Sequence, residues 1–282
     1  MVMGNNLTVI GCGYVGAVLA EYWQQQGHWV TGTATNPERV DLLQSTLAQA
    51  RQVRGDDAQA ISEVVSNQAT VVVCVAPPRA QASDPTVYAA TYLPLAQNLV
   101  KAIQQAAQPL QVIYLSSCSV YGDRQGAWVD ETVPIVPTTD HMQILYEAEQ
   151  TLLQADSSSN SVCILRLGGI YGPGRELLKR YANLAGKTLP GKGDRIINWI
   201  HLADIVGTIE FARANHLAGI YNVVDDSVMT VREQVALVCA QHQLPPAIWD
   251  ESQPAQAVKN LRVSNQKLKT AGYPLIYPKL VA

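Results

Sequence analysis

Three glycines define the first chemistry to consider. Gly11, Gly13 and Gly16 stand in a Gly-x-Gly-x-x-Gly spacing, directly after the apolar run Asn6 to Ile10 and directly before a helix-length stretch that reaches Gln26. That order suits a pyrophosphate. Gly11 allows a tight turn, Gly13 lets the backbone approach the phosphates, and Gly16 lets helix and strand pack closely. Tyr14 and Val15 would open the helix, whose unpaired N–H groups and positive dipole end attract an anion. Chance alone can produce such a spacing among 19 glycines, but the strand before it and the helix after it make a dinucleotide site the expectation.

The second strand, expected over 29–33, carries the choice of dinucleotide. An NAD site of this kind places a carboxylate at the strand tip for the ribose hydroxyls. Here the tip reads Thr31-Gly32-Thr33-Ala34-Thr35-Asn36-Pro37-Glu38-Arg39, with no acid at its end. Thr33, Thr35, Asn36 and the cationic Arg39 suit a 2′-phosphate, so NADP is expected over NAD. Glu38 and Arg39 also fit the solvated first turn of the next helix, and that alternative stays open. Asp56, after the third strand, could reach the adenine amine or simply shape a turn.

These residues need a scaffold that presents strand ends together. Further strands fit 51–53, 70–75, 111–115, 162–165 and 219–223, and helices fit near 37–49, 58–66, 86–107, 140–155 and 203–215. Val71 to Val75 is apolar without interruption, as a parallel strand covered on both faces should be. Alternating strands and helices predict an α/β fold with a doubly wound parallel sheet. After about residue 170, Gly172-Pro173-Gly174, Pro190-Gly191-Lys192-Gly193 and Pro245-Pro246 cut the chain into shorter pieces. The expected division is a dinucleotide-binding domain over 1–170 and 203–224, with a smaller discontinuous C-terminal lobe over 171–202 and 225–282. That lobe is expected to wall a substrate cleft outside the strand carboxyl ends.

Composition narrows the function classes. The 282 residues are 48% hydrophobic and only 15% charged, and 24 glutamines take much of the polar surface. A net charge of −3 gives no basic footprint, so nucleic-acid binding is not expected. No apolar run is long enough to span a bilayer. The first residues show neither a basic region nor a cleavage signal, so a cytoplasmic protein is expected. Five cysteines are scattered without a CxxC pair, and five histidines form no ligand cluster, so no metal is expected.

Four later stretches carry a family resemblance. Tyr114-Leu115-Ser116-Ser117-Cys118-Ser119-Val120-Tyr121-Gly122 resembles the SSxxVYG stretch of the extended short-chain dehydrogenase/reductases. Leu165-Arg166-Leu167-Gly168-Gly169-Ile170-Tyr171-Gly172-Pro173-Gly174-Arg175 and Asn198-Trp199-Ile200-His201-Leu202-Ala203-Asp204-Ile205 resemble later blocks of the same proteins, and Tyr221-Asn222-Val223 their last parallel strand. With the opening glycines, the chain resembles the NAD-dependent epimerase/dehydratase group. The resemblance implies an NAD(P)-binding Rossmann domain, a small substrate lobe and, in many members, nucleotide-sugar substrates. Ala76, Ser116, Leu167 and Gly168 complete the cofactor contacts expected from it. The chain departs from the usual GxxGxxG in having Ile10 at the first position.

In that family a Tyr is the acid/base, a Lys four residues later lowers its pKa, and a Ser holds the same substrate oxygen. The arrangement is physically sensible, because a free phenol near pKa 10 needs a nearby cation to work at neutral pH. The Ser maps onto Ser117. The pair does not map, since none of the twelve tyrosines has a lysine four residues on. Aligning Glu147-Ala148-Glu149 with the end of the family's catalytic helix puts His141 at the Tyr position and Leu145 at the Lys position. His141 titrates near neutrality without help from a lysine, and Tyr146 is the second candidate.

Two functions follow. The leading one is an NADP-dependent oxidoreductase or epimerase/dehydratase acting on a hydroxyl or carbonyl of a small polar metabolite, with Ser117, His141 and Tyr146 as catalytic candidates. The competing one is an NADP(H)-binding sensor or regulator without turnover. Arg175 could clamp a substrate phosphate or carboxylate, or sit in a surface ion pair. His201 and Asp204 read as loop-orienting residues, and Cys118 as a packed thiol. A small-molecule substrate is the expected partner, with a monomer or homodimer as the assembly.

Overall fold

A computed structural model describes residues 5–254 and 259–281. The chain forms two compact units. One comprises Met1–Val120, Pro137–Arg166 and Thr208–Ile220, and the other Tyr121–Val136, Leu167–Gly207 and Tyr221–Ala282.

Strand and helix alternate from the start: β1 (Asn6–Ile10), α1 (Tyr14–Gln25), β2 (Trp29–Ala34), α2 (Pro37–Gln44), β3 (Gln49–Gln52), α3 (Ala58–Val65) and β4 (Thr70–Val73). They continue as α4 (Pro85–Gln104), β5 (Gln111–Ser117), β6 (Trp128–Val129), α5 (Asp140–Leu153), β7 (Ser161–Leu167) and β8 (Gly169–Tyr171). Then come α6 (Leu177–Tyr181), β9 (Thr188–Pro190), β10 (Trp199–His201), α7 (Leu202–Ala214) and β11 (Gly219–Val223). The last elements are α8 (Val231–Gln241), β12 (Ile248–Asp250), β13 (Arg262–Val263) and α9 (Gln266–Thr270).

Seven strands make one parallel sheet in the order β11-β7-β5-β4-β1-β2-β3. It is the doubly wound Rossmann arrangement. The order reverses between β1 and β4, where Leu7 lies opposite Thr70 and Val9 opposite Val72. A crevice opens at such a reversal, outside the strand carboxyl ends, because the two crossovers leave in opposite directions. β4 is buried throughout and β5 is buried from Gln111 to Ser116, as expected of strands covered on both faces. Trp23 of α1 is fully buried, and its Nε1 donates to Glu210 Oε2 at 2.8 Å.

Several element boundaries moved: β4 ends at Val73 rather than 75, β5 runs on to Ser117 and β7 to Leu167, and the second helix and third strand moved as well. The helix expected over 37–49 stops at Gln44, because the Ser45 and Thr46 hydroxyls donate back to Leu42 O at 2.8 Å and Leu43 O at 3.3 Å. Such local bonds compete with helix continuation. The third strand therefore begins earlier than expected, at Gln49 rather than 51, with Ala50 opposite Gly32.

The second unit pairs β8 with β10 and β9 with β12. Its core gathers Tyr171, Leu177, Tyr181, Trp199, Val235, Val238, Cys239 and Leu280. Gln234 is fully buried among them and its amide is satisfied on both sides. Its Oε1 accepts from Tyr181 Oη at 2.7 Å and Trp199 Nε1 at 2.9 Å, while its Nε2 donates to Ile197 O and Met229 O.

Candidate functional site

The glycine turn joins β1 to α1 at the reversal of strand order. Gly11 has φ +94°, a left-handed conformation, and a Cβ there would lie 3.0 Å from the Cys74 carbonyl carbon. A Cβ on Gly16 would lie 2.3 Å from Gly11 O, so α1 can approach the turn only with glycine at that position. Gly13 differs from both. Nothing in the protein lies within 4 Å of a Cβ placed on it. Packing therefore explains two of the glycines, and the third faces open space where a ligand's backbone approach would explain it. No side chain caps α1 and no acid stands in its first turn, so its leading amides face outward without a carboxylate competitor.

The second strand holds this turn in place. Gly11 N donates to Thr33 Oγ1 at 3.1 Å and Cys12 N to Thr33 O at 2.7 Å. Thr33 is buried, so its hydroxyl braces the turn from beneath. Arg39 folds back from α2, and its Nε donates to Cys12 O at 3.0 Å. This bond lays the guanidinium along the rim of the turn. Asn36 caps α2, its Oδ1 accepting from Arg39 N at 3.0 Å, and Thr35 is exposed at the strand tip. Asp56 is gripped by Arg54 through two bonds of 3.0 Å, which hold its carboxyl below the usual range. Ala76 is exposed just beyond β4, Tyr14 is half-buried and Val15 is buried. Burial pushes the Cys12 thiol up to about 11 and raises that of Cys74 as well, so neither is a ready nucleophile.

At the end of β5 the two serines diverge, as neighbours on a strand must. Ser116 is buried and donates to Glu149 Oε1 at 2.5 Å. Glu149 is itself fully buried and pairs with Arg166, with Nη2 to Oε2 at 2.6 Å. Ser117 is half-buried, and its Oγ accepts from Ser119 N at 3.1 Å, which leaves the hydroxyl proton available to a substrate oxygen. Cys118 is buried, with Sγ 3.2 Å from Arg166 O.

His141 lies in the first turn of α5, behind the Thr139 cap. Its ring meets Tyr88 of α4 edge-on at 4.6 Å, and its Nε2 lies 3.2 Å from Ala82 O. Since a carbonyl only accepts, a hydrogen bond here needs the proton on Nε2, and in the neutral ring that leaves Nδ1 as the acceptor nitrogen. Leu145, four residues on, is buried. Tyr146 is half-buried, and five residues on it points about 140° away around the helix. The sequence reading missed Tyr88, Tyr92, Tyr114, Glu149 and Arg166 as parts of this region. Burial raises the pKa of all three phenols, so they stay protonated.

In the second unit, Gly172-Pro173-Gly174 turns the chain, and Arg175 N donates to Gly172 O at 2.8 Å. Arg175 is exposed. Leu167 is buried, and a Cβ on Gly168 would sit 2.8 Å from Asn198 O. Among the described residues no group of three His, Cys, Asp or Glu gathers as a metal site would require, and no helix is long and apolar enough to cross a membrane.

The sheet order and the glycine turn at its reversal define a Rossmann fold. The profile of the NAD dependent epimerase/dehydratase family matches residues 7–223, and the chain belongs to that family. It is 32% identical over 226 residues to Protein YeeZ of Escherichia coli (strain K12), covering 77% of this chain and 76% of that one. Among solved structures it resembles MoeE5 in complex with UDP-glucose and NAD, with a TM-score of 0.76 at 20% identity over 96% of this chain and 93% of the other. It also resembles human epimerase family protein SDR39U1 with NADPH, with a TM-score of 0.76 at 20% identity over 97% and 96% of the two chains.

Proposed function

We propose that this chain is an NADP-dependent oxidoreductase or epimerase/dehydratase that acts on a hydroxyl or carbonyl of a small polar metabolite, with a nucleotide sugar as the substrate class. The observation that carries the reading is the pairing of an open Gly13 with a guanidinium bonded to the same turn. Gly11, Gly13 and Gly16 with the amides of Tyr14 and Val15 would hold the pyrophosphate, and Arg39 with Thr35 the 2′-phosphate. Thr33 and Asn36 support this rim from within, and Asp56, Ala76, Ser116, Leu167 and Gly168 are the further cofactor contacts proposed. The bound nicotinamide supplies hydride exchange.

This chain's own groups handle the proton and the orientation. The Ser117 hydroxyl holds the reacting oxygen, and His141 Nδ1 takes or returns its proton, a role imidazole can fill near neutrality. A bond from Nε2 to Ala82 O would favour the tautomer this requires, and the Tyr88 ring packs edge-on against the imidazole. Tyr146 is the alternative acid/base, and Arg175 would meet an anionic part of the substrate. The nucleotide-sugar class draws support from MoeE5, whose solved complex holds UDP-glucose and NAD.

A second reading, an NADP(H)-binding regulator without turnover, is favoured by one observation. Leu145, which the proposed alignment sets against the family's lysine, is buried. Calorimetric titration with NADPH and NADH tests the cofactor, and the H141A variant tests turnover. Micromolar NADPH binding with no turnover by the wild type would leave the regulator standing, whereas turnover that survives in H141A would move the chemistry to Tyr146. Absence of binding by the folded protein would remove both readings.

A further inference from the structure

Within the second unit, the carboxy-terminal segment 273–281 is held by a small set of acidic residues. Asp204 of α7 is fully buried, and its carboxylate accepts from Ile276 N at 2.6 Å, Tyr277 N at 2.9 Å and Tyr273 Oη at 3.2 Å. The turn 225–227 supplies the other anchors. Asp226 N donates to Pro278 O at 2.9 Å, and Leu280 N donates to Ser227 Oγ at 2.7 Å. Leu280 then enters the core of the unit, and the Tyr277 ring lies 3.8 Å from that of His201.

The first residue of that turn is the unusual one. Asp225 is 5% exposed, its Oδ1 accepts from Ser227 N at 2.9 Å, and its Oδ2 is buried with no hydrogen-bond partner among the described residues. The groups that face it are acidic or neutral. Asp226 comes from its own turn, Asp204 from α7 and the Tyr171 phenol from β8. Lys269 of α9 is committed to Asp226, at 3.0 and 3.1 Å. His201 of β10 has its pKa lowered by burial and accepts from Ala203 N through Nδ1, so it too offers no charge. Burial and the two neighbouring aspartates push the Asp225 carboxyl up to about 7.

We propose that the turn 225–227 is a proton-operated seat for the carboxy-terminal segment 273–281, which docks while Asp225 holds its proton and loosens when the proton leaves. Ionisation puts a charge beside Asp204, which holds Ile276 N and Tyr277 N, and beside Asp226, and the same turn carries the anchors at Pro278 and Leu280. Release withdraws Tyr277 from His201, whose Nε2 lies against the Gly172 turn that leads to Arg175. Proton loss would thereby remodel the turn proposed to meet substrate. The inference stands on this unit alone and does not depend on the identity of the cofactor or substrate.

Hydrogen exchange of the full chain tests it, with rates corrected for the chemical pH effect. From about pH 6 to about pH 8 the protection of the Ile276, Tyr277 and Leu280 amides should fall roughly ten-fold, the change expected from one proton titrating near neutrality. In D225N, which cannot ionise, protection should stay constant over the same range. Carbon-13 titration of the aspartate carboxyls in the wild-type protein is the second arm, needed if D225N does not fold. A near-neutral midpoint for Asp225 supports the seat. Constant protection in the wild type, an equal fall in D225N, or an ordinary aspartate midpoint would each overturn it.

Discussion

Arg39 Nε donates to the carbonyl of Cys12 at 3.0 Å, tying the helix after the second strand to the glycine turn after the first. The guanidinium is planar and always charged, and one bond to a carbonyl uses only one of its five donors. The bond thus aims a cation along the turn without neutralising it. A carboxylate at this tip would do the opposite, repelling a 2′-phosphate and accepting from ribose hydroxyls.

Replacing Arg39 with Ala should therefore weaken NADPH more than NADH. A charge-assisted hydrogen bond contributes about 1.5–3 kcal/mol, so the NADPH dissociation constant should rise about 10- to 100-fold. NADH should change by a few-fold at most. Equal losses for both dinucleotides would assign Arg39 to the shape of the turn rather than to phosphate recognition.

The glycines make a second, sharper contrast. G16A drives a methyl into Gly11 O and should destabilise the fold by about 1–3 kcal/mol, read as a lower urea midpoint with no ligand present. G13A meets only open space, so its stability should fall only by the difference between Gly and Ala at a helix N-cap, about 0.5–1 kcal/mol, and less than that of G16A. Its cofactor affinity should nonetheless fall about ten-fold or more, since the methyl occupies the approach path. A G13A protein that binds normally would refute the pyrophosphate assignment.

How much of this was legible beforehand depended on whether the signal was local. The apolar run before Gly11 and the continuous burial of β4 follow from sequence periodicity, and so the sheet was readable. Pairs of two or three residues such as β6, β9 and β13 are too short to show any period. The helix α8 went unforeseen, although Thr230 and Glu233 form a capping box that could have marked its start. Tyr88 and His141 are 53 positions apart, so their edge-on contact is a product of α4 packing on α5. Asp225 likewise owes its raised carboxyl to residues from separate elements, and nothing in the run Val224-Asp225-Asp226 distinguishes one acid from the other.

The buried pair behind the serines should behave asymmetrically. Arg166 and Glu149 are almost wholly excluded from water, and Ser116 completes the carboxylate. R166M leaves Glu149 charged or forces it to take a proton, and should cost about 3–5 kcal/mol in urea unfolding. The double variant E149L/R166M removes both charges and should recover at least half of that loss. If the double variant is no better than R166M, packing rather than charge pairing sets the cost.

Asp225 should also leave a mark on global stability. Its folded-state carboxyl lies near 7, above the ordinary 3.8, so the folded protein binds more protons than the unfolded chain between those values. Stability should then be greatest below the lower value, fall as pH rises through about 7 and level off beyond it. D225N removes this slope and, at about pH 8, should be more stable than the wild type by up to about 4 kcal/mol. Thermal melts of the two proteins across that range check the sign; a wild type that gains stability from pH 5 to pH 8 relative to D225N, over roughly that window, contradicts it.

The last prediction concerns the imidazole itself. If Ala82 O takes a proton from His141 Nε2, the free protein should show the Nε2–H tautomer in its ring carbon and nitrogen shifts. Y88L removes the aromatic edge that holds the ring against Ala82 O, a contact of about 0.5–1.5 kcal/mol, and should lower the ratio of Nε2–H to Nδ1–H by a few-fold. Y88F keeps the ring and should keep the tautomer. This readout needs no substrate, so it separates two failures that activity alone would merge. A wild-type Nδ1–H tautomer would remove the geometric basis for Nδ1 as the proton acceptor. A correct tautomer in a protein whose turnover survives H141A would instead leave the geometry intact and move the chemistry to another residue, with Tyr146 next in line.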